Sequence, residues 1–281
     1  MTEYTLILNY YNKSLDLMKL HLDHCLNQSL PPKHIFGCFL GLEDEHLHLI
    51  EYFKQRTKDL DNVFIIESNF NFKYIGRYQI ALGAPTERII MLDDDRFPMP
   101  DYAKAMMSVL DQGDCLVQQS GWSLELDATQ KYIFEKADEG KYFALAGTAD
   151  TTGTFYNFKK ERLKEGYNLL YADYLCGGMV FNKSSLKYLF AEEIPIASGE
   201  DIAFCMRCTK NGIPVFFYAP EDSSAGDQEA LCHDSGGVNF TANDLDIWKY
   251  RSLLIHKELG MPFGPVEPED ITEQYIESKK S

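Results

Sequence analysis

The chain is poor in positive charge: 27 Lys and Arg stand against 43 Asp and Glu, a net of -16 over 281 residues. No basic cluster breaks this balance, which excludes a phosphate-tracking nucleic-acid surface; an anionic substrate would need a metal or a few placed Arg and Lys. Long apolar runs are also missing, so a membrane-spanning helix is not expected. The start, Met1-Thr2-Glu3-Tyr4, lacks the basic segment and apolar core of a secretion signal. Seven cysteines, an odd number, scatter from Cys25 to Cys232 without a disulfide framework, which suits reduced thiols and a cytoplasmic setting. Hydrophobic residues make up 45%, enough for one domain with a substantial core.

What is present is an alternation of strands and helices. Thr5 to Leu8 reads as a buried strand running into a polar and aromatic loop, Asn9-Tyr10-Tyr11-Asn12. Ser14 is placed to cap a helix, with Leu15, Met18, Leu22 and Cys25 at helical spacing. His21 and His24, three apart, are either a metal pair or two surface histidines, and the absence of a further ligand nearby favours the surface. His34 to Leu40 is the second strand, Glu43 to Lys58 the returning helix, and Asn62 to Glu67 the third strand. Alternation with short links predicts an α/β fold, an open, mostly parallel sheet flanked by helices.

Arg88 to Leu92 has the composition of a buried strand, and Asp93, Asp94 and Asp95 follow at once. In such a sheet, ligands sit beyond the carboxyl ends of the strands. Three adjacent carboxylates are costly to hold there unless donors or a cation offset their repulsion, and an oxygen-only set suits Mg²⁺ or Mn²⁺. A solvated acidic turn is the plain alternative. A helix-loop-helix calcium site fails, because Phe97 and Pro98 fall where that loop needs an oxygen ligand and a glycine.

Other stretches carry chemistry. Lys73 and Arg77 lie near the start of a helix running from Ile75 to Leu82, where they can meet a diphosphate or simply be solvated. Tyr102 to Leu110 reads as a helix and Cys115 to Gln119 as a strand; Trp122 opens an aromatic segment reaching Gly166 and is put forward for sugar stacking. Gly177 and Gly178, inside a strand-like run, suggest close approach by a ligand or by another backbone. Glu200 and Asp201 stand at the N-terminus of a helix over Ile202 to Lys210, as caps or as a base for a hydroxyl proton. Cys205, Cys208, Cys232 and His233 can be counted as a zinc set, but buried thiol packing explains the helical pair better. A Gly- and Ser-rich stretch from Asp222 to Gly237 can act as a lid, and Asp244 to Leu259 closes the domain as a helix.

Taken together, Asn9 to Asn12, Asn71 to Leu82, Leu92 to Asp95, and Gly199-Glu200-Asp201-Ile202-Ala203-Phe204 with Arg207 and Gly212 resemble a GT-A fold glycosyltransferase, family 2-like, of a branch seen in bacteria and large viruses. The resemblance covers residues 4 to 260. It implies a nucleotide-sugar donor, a UDP-sugar at family level, a carbohydrate or glycoconjugate acceptor, and inversion. It implies donor contacts at Asn9, Tyr10, Tyr11, Asn71, Lys73, Arg77, Asp93 and Asp94, and acceptor contacts at Trp122, Gly177 and Gly178. Asp93 and Asp95 match the Asp-x-Asp motif that holds Mn²⁺ or Mg²⁺, His233 matches a third metal ligand in some relatives, and Asp201 matches the base, with Glu200 as the substitute. It divides the chain into a donor half (1–97), an acceptor half (98–240) and a C-terminal helix and tail (241–281). Where many relatives carry paired aspartates for the nucleotide base, this chain has Phe39-Leu40-Gly41-Leu42-Glu43. Two other classes compete: a nucleotidyltransferase, for which Asn9 to Asn12 lacks the triphosphate-holding glycines, and a catalytically silent carbohydrate-binding protein.

Overall fold

Strands β1 (Tyr4–Tyr10), β2 (His34–Leu40), β3 (Val63–Ser68) and β4 (Arg88–Asp93) pair in parallel in the order β3-β2-β1-β4. The computed structural model describes residues 2–122, 163–164, 169–194, 198–218, 224, 227–229, 254 and 258. Helices α1 (Leu15–Leu26), α2 (His48–Thr57) and α3 (Gly76–Leu82) make the crossovers. The chain moves outward from β1 to β3 and then returns to lay β4 on β1's other side. In an open α/β sheet such a reversal is where ligands bind, beyond the carboxyl ends of the strands, here those of β1 and β4.

Both faces of these strands are covered, and the period of two sorts their side chains. Leu6, Leu8, Tyr10, Ile90 and Leu92 pack on one face with Met18, Leu22 and Phe53. Ile7, Ile89 and Met91 pack on the other with Tyr78, Phe181 and Phe204.

Next come β5 (Arg96–Pro98), α4 (Tyr102–Leu110), β6 (Leu116–Gln118), β7 (Gly121–Trp122), β8 (Leu163–Lys164), β9 (Leu169–Tyr171), β10 (Tyr174–Leu175), β11 (Gly178–Asn182), α5 (Leu186–Leu189), α6 (Glu200–Lys210), β12 (Val215–Tyr218) and β13 (Asp227–Glu229). Among the described residues the main sheet has nine strands, β3-β2-β1-β4-β11-β6-β12-β9-β8. β11 lies antiparallel between β4 and β6, so the expected α/β sheet is mixed: parallel from β3 to β4, with antiparallel ladders beyond except between β6 and β12, which run parallel.

Ser14 caps α1, its Oγ accepting from the Leu17 N–H at 3.2 Å. Two expectations change around this helix. β1 continues through Tyr10, so Asn9 and Tyr10 belong to the strand rather than the loop, and Tyr10 is wholly buried. His21 is not at the surface either: it is fully buried, with Nδ1 2.9 Å from the Tyr10 hydroxyl. Burial lowers its pKa to about 3, with His24 adding to the effect, so the ring is a neutral hydrogen-bonding group.

Among the described residues no helix is long and apolar enough to cross a membrane. Of the expected closing helix, Leu254 and Glu258 are described; both are helical and buried. Most of the aromatic segment after Trp122 and of the Gly- and Ser-rich stretch lies outside the described residues.

Candidate functional site

β4 stays buried through Leu92, and Asp93 is its last residue, opposite Asn9 of β1. The three aspartates then differ in setting. Asp93 and Asp95 keep 29% and 24% of their side chains exposed, Asp94 only 11%. The Tyr11 N–H donates to Asp94 Oδ2 at 3.0 Å, and Lys13 Nζ lies 3.5 Å from Asp94 and 3.8 Å from Asp95. Burial raises the Asp94 pKa; Lys13 opposes that shift and Asp95 adds to it.

Arg77 brings the triplet and the head of α6 together. Its Nη1 donates to Asp93 and its Nη2 to Glu200 Oε1 at 3.0 Å. Burial by itself would lower the Arg77 pKa; neighbouring acidic groups, Glu200 and Asp201 among them, outweigh it and hold the guanidinium firmly charged. Gly199 enters α6 with a left-handed φ of 87°, and Asp201 Oδ1 accepts from the Ile202 N–H at 2.8 Å. Glu200 and Asp201 are 1% and 6% exposed. The carboxylates of Asp93, Asp94, Asp95, Glu200 and Asp201 thus gather around Arg77 and Lys13 with negative charge in excess. Asp93 and Asp95 keep exposed carboxylate oxygens of the kind a hard divalent cation takes, but no three of these five carboxylates bring ligand atoms within 4.8 Å of one another.

The glycine pair is explained within the chain. A Cβ on Gly177, at φ 72°, would sit 2.2 Å from Arg96 Nε, and one on Gly178, at φ 129°, would sit 2.6 Å from the Met91 carbonyl oxygen. The close approach within the chain is by β4 and by the buried Arg96. Tyr10 likewise has no surface to offer a donor. Asn71 turns its own loop, accepting from the Lys73 N–H at 2.8 Å, and Lys73 is exposed with φ 55°. The backbone of Trp122 pairs with Tyr174. Cys205 and Cys208 are fully buried within α6, as thiol packing requires. Cys232 and His233, and with them the zinc set and the third metal ligand, lie outside the described residues.

Several residues of the site went unnoticed in the sequence. Lys13 directly follows Asn12, whose φ of 47° turns the chain out of β1; its nearness to the triplet comes from the fold and left no local signal in the sequence. Arg96, next to Asp95, is buried at 3%. Glu43, Glu45 and His46 bring ligand atoms within 4.8 Å of one another, although this group is at the surface and His46 is 3.3 Å from Glu45.

No family model matches the sequence, and no curated protein matches it. Solved structures do. A mannosyltransferase, PcManGT from Pyrobaculum calidifontis, in complex with GDP-Man and Mn²⁺, superposes with a TM-score of 0.56 at 17% identity, over 95% of this chain and 66% of that one. S. aureus TarS 1–349 gives 0.55 at 15% identity, over 96% and 68%. GalNAc-T7 with UDP, GalNAc and Mn²⁺ gives 0.57 at 11% identity, over 81% and 43%. At such identities the likeness is one of architecture: the chain has the GT-A glycosyltransferase fold.

Proposed function

We propose that this protein is a glycosyltransferase that uses Mn²⁺ or Mg²⁺ to move a sugar from a nucleotide diphosphate, a UDP-sugar by preference, to a hydroxyl of a carbohydrate or glycoconjugate acceptor, with inversion. The observation that carries this reading is Arg77, which joins Asp93 at the end of β4 to Glu200 at the head of α6. A cation-binding end and a proton-accepting end thereby share one crevice at the switch point of the sheet.

In this reading Asp93 and Asp95 hold the cation and orient the donor diphosphate. The cation, when bound, supplies Lewis-acid stabilisation of the charge on the departing diphosphate. Asp201 takes the proton of the acceptor hydroxyl, a role worth about 10²–10⁴-fold in rate. Glu200 is less suited to it, because Arg77 already claims its carboxylate at 3.0 Å. Residues 1–97 form the donor half and 98–240 the acceptor half, with Trp122 as a sugar contact and His233 as a further ligand.

The test is a thermal-shift screen of nucleotide sugars with and without Mn²⁺, followed by transfer assays. Asp95→Ala should lose cation-dependent donor binding, while Asp201→Asn should keep binding and lose transfer. Stabilisation by free sugars but not by nucleotide diphosphates with Mn²⁺ would turn the reading toward a binding protein, and pyrophosphate release from a triphosphate toward a nucleotidyltransferase.

A further inference from the structure

Two cationic side chains face the aspartate triplet, and they are held differently. Arg77 is anchored on α3, 7% exposed, between Asp93 and Glu200. Lys13 stands on the loop after β1, with its side chain 13% exposed and its Nζ between Asp94 and Asp95, 3.5 and 3.8 Å away. A guanidinium fixed by two carboxylates keeps its place; an ammonium on a flexible four-carbon stem can exchange partners.

We infer that Lys13 is an internal counter-ion that occupies the triplet in the donor-free protein, weakens its hold on a divalent cation, and moves to phosphate oxygens when a nucleoside diphosphate arrives. The inference rests on the cation-assisted reading above. Its physical basis is Coulombic. Lys13 shares Asp95 with the incoming ion, and its own charge, a few ångströms away, repels that ion. A diphosphate reverses both effects, because it supplies new oxygens to the ammonium and bridges to the metal at the same time. Cation and donor should therefore bind with positive coupling, and Lys13 should be the source of much of it.

Calorimetric titration of Mn²⁺ into the full chain, with and without UDP or GDP, tests this. Donor-free Lys13→Met should bind Mn²⁺ at least about tenfold more tightly than the wild type, as expected when a nearby like charge is removed, and the gain in affinity from nucleotide should shrink. Lys13→Arg, which keeps the charge, should bind donor-free Mn²⁺ as weakly as the wild type. Thermal melts confirm that each variant is folded, and Lys13→Gln replaces Lys13→Met if the latter is not. Unchanged or weaker donor-free binding in the neutral variants, or binding in Lys13→Arg as tight as in Lys13→Met, overturns the inference; if Asp95→Ala still abolishes binding, the cation reading survives. Absence of Mn²⁺ binding to every variant, with or without nucleotide, overturns both.

Discussion

The guanidinium of Arg77 lies 3.0 Å from the carboxylate of Glu200, 123 positions further along the chain. Because Asp93 takes the other arm of the same guanidinium, one side chain fixes the end of β4 relative to the start of α6. Removing one partner of a buried ion pair leaves a charge without compensation, at a cost of about 3–5 kcal/mol. Arg77→Met should therefore lower stability by that order in denaturant titrations. Arg77→Lys should recover only part of it, since an ammonium does not present a planar fork to two carboxylates. Near-wild-type stability of Arg77→Met would mean that the pair does not organise the crevice.

Gly177 and Gly178 make a second prediction. Gly178→Ala places a Cβ 2.6 Å from the Met91 carbonyl oxygen, a backbone atom that cannot swing aside, at a φ of 129°. Gly212→Ala is the control: its φ is 79° and nothing lies within 4 Å of the added atom. The control should lose about 1–2 kcal/mol for its left-handed backbone, and Gly178→Ala clearly more. A Gly178→Ala protein as stable as the control, but with a raised KM for acceptor, would return the glycine to an acceptor role.

How far the sequence spoke depends on the range of the interaction. β2 and α4 have the bounds their patterns predict, His34–Leu40 and Tyr102–Leu110, because Pro31-Pro32 and Pro100-Asp101 mark where each element begins. β1 overran its expected end because Asn9 and Tyr10 look loop-like in isolation, yet both pair with β2 and Asn9 also with β4. β11 is an apolar run, and such a run carries no sign of its direction. The triplet and the Glu200-Asp201 pair stood out separately by local pattern. Arg77's link between them is a contact over 123 residues, and Lys13's role depends on a turn of the chain that only the fold displays.

A third prediction concerns the underside of α6. Arg207, 2% exposed, donates to Glu258 Oε1 at 3.1 and 3.0 Å and to the carbonyls of Leu189 and Glu193 at 2.7 Å each. The helix that carries Glu200 and Asp201 is thereby tied to the C-terminal segment. Glu258→Ala should destabilise by about 3–5 kcal/mol, and Arg207→Met combined with Glu258→Leu should cost less than the two single changes added together. A double-mutant cycle by denaturant titration measures the coupling; strict additivity would show that the pair contributes nothing as a pair.

The last prediction follows from His21, whose ring is sealed behind β1 against Tyr10, the residue before the one that holds Asp94. Burial first, and His24 second, bring its pKa from 6.5 to about 3 in the folded chain. Between those values the unfolded chain binds a proton at this site that the folded chain refuses, so stability falls as pH drops from 6.5 toward 3 and is unaffected by this group above 6.5. The slope reaches about 1.4 kcal/mol per pH unit. His21→Gln removes the titrating group at a cost of about 1 kcal/mol for the altered hydrogen bond to Tyr10. The variant should thus be the less stable protein near neutrality, yet lose about 2 kcal/mol less than the wild type on going to about pH 5. Urea midpoints at the two pH values measure the difference, and identical losses in both proteins would mean that His21 accepts its proton in the folded chain as readily as in the unfolded one.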